Sequence, residues 1–449
     1  MEAESLAMLL PELEAFCSKF DDCFVRREQH AHLRLYVRGQ LSDLPRKSIE
    51  PMALAGDVPP RNLQQFLSLH GWNDGMLRDR VQQVIGREHD DPDAITLLDE
   101  TYHAKKGDKT PGVQRQWCGT KGTTDNCAVT VHLARAGGTQ GGGKTFRCLL
   151  DSELFLPESW SGDRERCKEA GIPDDMVYRP KKRIALEMLD RARGNGVRIG
   201  WLGFDAGYGM HTDFMLELDD RQILYVGEAP CHLTGWIKPP PVLHKEHHTF
   251  RPITPNGAVI GRPRTFPRTK VLPGDMHKAR SVENLVRYSP TFTKQPWTKF
   301  HVKDDDAGPV VWEVKAAPFH LKKDGVPTWA HWLIAARHTL SGEVKYFVSN
   351  APSGTPLEQL LRVAFNRWPV ERCFQDAKSE LGLSHFEVRN YRSLLRHMIL
   401  TSVSLLFLSR ATASLREKKS AGDGLPSASG SDGADPRLMG RRADQRQEA

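Results

Sequence analysis

Residues 197–205 read Val-Arg-Ile-Gly-Trp-Leu-Gly-Phe-Asp, a short apolar run that closes on a carboxylate. It is preceded by Ile184 to Arg193, whose apolar residues recur at helical spacing, and the two are joined by Gly194-Asn195-Gly196. Helix, glycine-rich stop and short buried strand in that order are the repeating unit of an α/β fold. Working outward, Asp90-Asp91-Pro92-Asp93 signals a turn before Ala94 to Leu98, a second apolar run that meets Asp99 and Glu100. Ala128 to Ala134 and Phe146 to Leu150 read as the two strands of a hairpin. His211 to Leu218 then reads as helix and Ile223 to Val226 as strand. The pattern predicts a mixed sheet with helices packed on it.

On either side the pattern changes. From Leu9 to Gln83 the apolar spacing is helical, as in Phe16, Phe20 and Phe24. Pro59-Pro60 opens a segment there whose spacing is compatible both with a helix-turn-helix that reads DNA and with a simple bundle. From Ala229 to Pro352 prolines, aromatics and basic residues dominate, with β-like runs at Val310 to Val314 and Tyr346 to Val348, which predicts an inserted, largely β module. Leu357 to Leu381 predicts one long helix and Leu394 to Leu408 another. After Lys419 large apolar residues almost vanish, the composition of a disordered tail.

The chain has 449 residues, 39% hydrophobic and 27% charged, a composition that excludes fibrous and globally disordered classes. Met1 to Phe16 carries Glu2, Glu4, Glu12 and Glu14 and no Lys or Arg, unlike a secretory signal. The longest apolar stretch, Met398 to Leu408, is interrupted by Thr401, Ser402 and Ser404 and predicts no membrane-spanning helix. Eight cysteines without a C-x-x-C pair fit reduced thiols in a cytoplasmic protein. The net charge of +7 is matched by a single stretch, Gly261 to Phe300, where nine basic residues face only Asp275 and Glu283. Such a patch attracts polyanions by counterion release, or is a solvated face.

Three acids carry the chemistry. Asp99 and Asp205 each follow a strand-like run, and Glu371 lies in the long helix with Arg367 and Lys378 at spacings of four and seven, hence on one helical face. Two carboxylates at neighbouring strand ends and one from a helix packed across the sheet suit a pair of Mg²⁺ ions, with Mn²⁺ an alternative, in attack on phosphorus. On this reading Arg367 and Lys378 bind flanking phosphates. Two other motifs compete. Gly138 to Thr145 fits the phosphate-loop pattern G-x-x-x-x-G-K-T and would make the protein a P-loop ATPase, yet Phe146 to Leu150 reads as strand where that loop needs a helix. His244, His247 and His248 near Cys231 and His232 lack zinc-site spacing. Trp236 and Trp297 in the basic stretch are candidate stacking platforms for a displaced base.

Leu98-Asp99-Glu100-Thr101, Lys105-Lys106-Gly107, Gly112 to Trp117 and Asp125-Asn126-Cys127 together resemble the first catalytic block of bacterial insertion-sequence transposases of the DDE superfamily. Trp160 to Asp163, Ala170 to Pro173 and Phe204 to Gly209 are similar to the block around that family's second aspartate. Arg367 to Phe374, Lys378, Leu381 to Leu383 and Glu387 to Arg389 resemble the block that holds its glutamate. The resemblance runs in order from Phe16 to Leu408. It implies a ribonuclease H-like core in which Asp99, Asp205 and Glu371 are the metal-binding positions, and DNA cleavage followed by strand transfer.

It further implies five segments: a helical DNA-binding domain at 1–90, the first part of the core at 91–228, a basic β-rich insertion at 229–355, a helical completion at 356–415, and a disordered tail at 416–449. Double-stranded DNA, as element ends and target, and a second copy of the chain in a synaptic dimer are the implied partners. The subgroup signature is tyrosine, arginine, glutamate and lysine; Arg367, Glu371 and Lys378 fit, while Ala364 stands at the tyrosine position beside Phe365. A DNA-binding protein without catalysis is the remaining alternative.

Overall fold

The stop that follows residues 184–193 works as its glycines require. In the computed structural model, which describes residues 9–119, 121–137, 146–245, 254–258, 268–305, 308–365 and 368–422, helix α8 spans Lys181–Gly194. Gly196 sits at φ +86°, a left-handed conformation that costs glycine nothing, and the Val197 amide reaches back to the Ala192 carbonyl at 3.0 Å. Closing the helix occupies the residues just after it, so the strand β5 begins only at Trp201 and runs to Phe204.

Among the described residues five α-helices precede the sheet: α1 (Leu9–Cys17), α2 (Arg27–Leu41), α3 (Ile49–Ala55), α4 (Pro60–Ser68) and α5 (Asp74–Glu88). Strand β1 (Ile95–Ala104) then pairs antiparallel with β3 (Thr123–Ala136), which is flanked by β2 (Gln114–Cys118) and β4 (Arg147–Phe155). On its other side β1 pairs parallel with β5, and β5 pairs parallel with β6 (Leu224–Ala229). The connection from β4 to β5 carries α6 (Glu158–Ser161), α7 (Arg164–Glu169) and α8; that from β5 to β6 carries α9 (Ala206–Gly209) and α10 (Thr212–Asp220). The mixed α/β reading therefore holds.

The strands between residues 229 and 355 continue this sheet. Among the described residues it has twelve strands, because β14 (Val344–Ser349) pairs with β6 and leads outward through β13 (Val326–His338), β12 (Gly308–Lys323), β7 (Thr234–Trp236) and β10 (Arg280–Ser281), with β11 (Thr298–Asp305) beside β12. A second, two-stranded sheet of β8 (Val242–Lys245) and β9 (Arg268–Val271) lies against β13, and α11 (Val282–Tyr288) and α12 (Pro290–Thr293) pack beside the outer strands.

Two expectations need correction. Strand β1 does not end at the acids but runs on to Ala104, since Thr101 and His103 are buried and take hydrogen-bonded places in the sheet. The helix read over 357–381 is described in two stretches, α13 (Leu357–Phe365) and α14 (Trp368–Ser379), and residues 366 and 367 between them lie outside the described residues. The last helix, α15, spans Tyr391–Gly422, longer than the apolar run suggested. Its hydroxyls do not interrupt it: Thr401 and Ser402 donate to the carbonyls of His397 (2.8 Å) and Met398 (3.1 Å), and Ser404 donates to the buried Gln40 side chain at 2.8 Å. Residues Tyr391–Leu415 are long and apolar enough to cross a membrane by length and composition, yet 61% of the apolar window is buried within the protein. It packs on α2, α4, α5 and β4.

The pleat assigns side chains to the two faces. Leu98, Leu202 and Phe204 join a core with α8, α10 and the N-terminal helices. Ile95, Leu97 and Trp201 face the other way and join Leu360, Leu361, Phe374 and Ala377 of α13 and α14. Asp99 shares parity with Leu97, on the face where α14 packs over β3 and β4, and Asp205 follows the last residue of β5. Phe365, next to the signature position, is packing: its ring lies 5.0 Å from Trp312 and 5.6 Å from Phe347. Ala364 is buried at 5% exposure. Ala364→Tyr is therefore expected to lose about 1–3 kcal/mol by overpacking, read as a lower urea midpoint; an unchanged midpoint would show that the site has room for the ring.

Candidate active site

The register Leu98↔Phe204 between parallel β1 and β5 sets Asp99 and Asp205 side by side just beyond the paired residues. Neighbouring strands run about 4.8 Å apart, and the carboxyl ends of parallel strands are where open α/β sheets place their chemistry. Both aspartates line one cavity of about 500 Å³, together with Glu100, Tyr102, Tyr208, Lys181, Lys182 and His211. Asp205 also caps α9: its Oδ1 accepts from the amides of Gly207 (3.0 Å) and Tyr208 (3.3 Å). Asp99 Oδ1 accepts from the Glu100 amide at 2.7 Å.

Glu100 points to the face opposite Asp99 and is held by three donors. Lys181 Nζ and Tyr102 OH (3.0 Å) bind Oε2, and Tyr208 OH binds Oε1 at 3.2 Å. With both oxygens engaged, Glu100 is the cavity acid least suited to a cation, although sequence alone gives it the same standing as its neighbour.

Lys378 of α14 is set close to Asp99: burial pushes its ammonium below the usual lysine range, while the Asp99 charge pulls it back up. Glu371 lies about two turns earlier on α14, exposed and outside the residues that line the cavity. Arg367 lies outside the described residues. The structure thus brings Asp99 and Asp205 together and Lys378 to Asp99, while Glu371 stands on the same helix as Lys378, outside the cavity. Among the described residues no group of three or more His, Cys, Asp or Glu is gathered tightly enough to hold one ion. The donor chemistry nonetheless fits a hard divalent cation at the aspartate pair, whose carboxylate oxygens are the ligands Mg²⁺ prefers.

Behind the site runs a buried polar chain that the sequence reading missed. Ser384 Oγ meets His103 Nδ1 (2.9 Å), and His103 Nε2 meets Thr130 Oγ1 (2.8 Å). Thr130 Oγ1 meets His132 Nε2 (2.6 Å), and His132 Nδ1 meets Ser152 Oγ (2.7 Å). His132 is the cross-strand partner of Asp99, and Thr130 that of Thr101. The available signal was the polar residue at every second position, Asp99, Thr101 and His103 against Thr130 and His132. Phe374 of α14 packs edge-on against His132, ring centres 5.1 Å apart.

These imidazoles are buried neutral. Burial lowers His132 to about 3 and His397, whose Nδ1 meets Tyr36 OH at 2.7 Å, to about 4; His103 is also held well below its ordinary value. In the unfolded chain each takes its proton near 6.5. Their contribution is therefore complete above pH 6.5 and is lost as pH falls through the window toward 4, at about 1.4 kcal/mol per pH unit for each. Buried Asp151, raised to about 6, works in the opposite sense and offsets part of the loss. The melting temperature is expected to fall clearly between pH 7 and pH 5, and a flat profile there would contradict this account.

Other candidates resolve simply. Residues 138–145 lie outside the described residues, but their flanks are antiparallel strands joined from Gly137 N to Phe146 O at 2.7 Å, and β4 follows where a phosphate loop needs a helix. Trp236 is buried, its indole N–H bound to the His277 carbonyl at 2.8 Å, so it is not a stacking platform. Trp297 is flanked by Lys315 and Arg337, 4.7 and 4.5 Å from the ring. His247 and His248 lie outside the described residues. Of the basic stretch, Lys270, Lys278, Arg280, Arg287, Lys294 and Lys299 are exposed.

The structure sets an aspartate pair at the ends of adjacent parallel strands, with Lys378 of α14 close to one of the two. The chain belongs to the DDE superfamily of endonucleases, whose family description it matches over residues 19–301. Over 384 residues it is also 25% identical to the probable transposase for insertion sequence element IS701 of Microchaete diplosiphon, spanning 84% of this chain and 82% of that protein. Both findings agree with the resemblance to insertion-sequence transposases of this superfamily, and the family match ends at residue 301, before the block that holds Glu371.

Proposed function

We propose that the protein is the transposase of an insertion sequence: it binds the ends of its element, hydrolyses the phosphodiester there, and directs the freed 3′-hydroxyl into target DNA. The observation that carries this is the placement of Asp99 beside Asp205 in one cavity. Asp99, Asp205 and Glu371 would hold the divalent ions, two Mg²⁺ or Mn²⁺, which when bound supply an activated water and offset charge on the leaving 3′ oxygen. Lys378, beside Asp99, and Arg367 hold phosphates of the strand being cut. The helices of residues 1–90 and the exposed cations between Lys270 and Lys299 contact duplex DNA on either side. Two copies of the chain act together on the paired ends, in the cytoplasm, with no membrane involved.

The test is cleavage of a linear duplex spanning one end of the element that encodes the protein, with Mg²⁺, with Mn²⁺ and with chelator. Wild type is expected to nick at the element boundary only with metal, and Glu371→Gln to lose about 10³-fold in rate while binding the duplex unchanged. Metal-independent nicking would sink the proposal. Two features favour a second reading, a DNA-binding protein that does not cut: Glu371 is exposed outside the cavity and Ala364 replaces the signature tyrosine. Specific protection of the end duplex without nicking under either metal would decide for it.

A further inference from the structure

Helix α8 opens with Lys181, Lys182 and Arg183, three cations in the first turn of a 14-residue helix that has no acid there. A helix N-terminus is electropositive and disfavours cations, so this is a local conflict of the kind that marks function. Each cation has a carboxylate: Lys181 pairs with Glu100, Lys182 with Asp213, and Arg183 with Glu187 at 3.0 Å. Asp213 and Glu187 do not line the cavity of the aspartate pair, but Glu100 does. The Lys181 ammonium lies over two further lining rings, 5.7 Å from Tyr102 and 5.3 Å from Phe155. Its pair with Glu100 is largely sheltered, with side chains 30% and 14% exposed. The cation is thus fixed on the wall of the same cavity as Asp99 and Asp205, and the bond to Glu100 engages one of its three N–H donors.

We infer that Lys181 binds a non-bridging phosphate oxygen of the DNA strand lying against the aspartate pair, and that Glu100, with Tyr102 and Tyr208, positions it. This rests on the endonuclease reading of the cavity. The carboxylates repel a bare phosphodiester, and a fixed ammonium on the facing wall offsets that repulsion and sets the strand's register. The tyrosines hold the two Glu100 oxygens in place, so the lysine is aimed without rearrangement when DNA enters.

The experiment uses the full chain and the end duplex, with single-turnover cleavage and fluorescence anisotropy binding measured separately. Lys181→Met is expected to slow cleavage of bound duplex about 10²-fold, and Lys181→Arg to retain most of the rate. Because Lys181→Met alone strands the Glu100 charge, the double variant Glu100→Gln with Lys181→Met removes both charges. A purely structural pair predicts that the double variant recovers wild-type cleavage; a phosphate-binding lysine predicts that it stays slow while melting normally. Wild-type rates in either Met-containing variant overturn the inference. Failure of wild type itself to cut with Mg²⁺ or Mn²⁺ overturns instead the reading of the cavity on which the inference stands.

Discussion

Asp99→Asn and Asp205→Asn are each expected to reduce end cleavage by about 10³-fold or more while leaving end binding within a few-fold and the fold unchanged. Asparagine keeps the shape and the side-chain carbonyl. At 205 that carbonyl still accepts the Gly207 and Tyr208 amides, so the cap of the turn that follows β5 survives. What disappears is the negative charge that a divalent cation needs. At 99 the change also removes the carboxylate that offsets the half-buried ammonium of Lys378, so affinity for the uncut duplex is expected to rise slightly rather than fall. Cleavage by either variant at more than a tenth of the wild-type rate with Mg²⁺ would show that the aspartate pair is not the metal site.

Arg396→Ala is expected to produce the largest loss of stability of any change outside the site, about 3–5 kcal/mol, read as a drop in the urea midpoint. Arg396 lies on α15 at the junction with the N-terminal helices and is almost wholly buried. Its guanidinium donates to the carbonyls of Phe66 (3.2 Å), Leu67 (3.1 Å) and Trp72 (2.5 Å), lies 3.6 Å from Asp74, and stacks 4.1 Å over the Trp72 ring. Those carbonyls belong to the C-terminal end of α4 and the turn beyond it, where orphan acceptors and the helix dipole both favour a cation. Alanine removes the donor to the Leu67 and Trp72 carbonyls, while the Phe66 carbonyl keeps the Trp72 indole N–H at 2.7 Å, and it opens a cavity. Arg396→Lys is expected to recover only part, because an ammonium lacks the planar fork that reaches all three. A midpoint unchanged in Arg396→Ala would mean that the N-terminal helices are not held through this residue.

The parts of the fold legible in the sequence were those governed by local pattern. Glycines 194 and 196 announced the end of α8, and the alternation of helix and short apolar strand announced the mixed sheet. What local pattern does not carry is pairing. Nothing in Val344 to Ser349 says that this strand docks on β6 and so extends the central sheet outward, since that depends on edges contributed by distant segments. In the site, Asp99 and Asp205 were legible as acids ending apolar runs. The histidine chain was not, because two serines, a threonine and two imidazoles acquire meaning only once β1, β3 and β4 lie side by side. Lys181 was passed over for a related reason, since a basic first turn reads as surface until Glu100 is placed beneath it.

The central claim is that Asp99 and Asp205 share a divalent ion. Anomalous diffraction from crystals of the protein with its end duplex, grown in Mn²⁺, tests it most directly. The account predicts a manganese peak bonded to a carboxylate oxygen of both aspartates, at about 2.0–2.3 Å. A peak bonded to neither, with manganese held elsewhere in the protein, would contradict it.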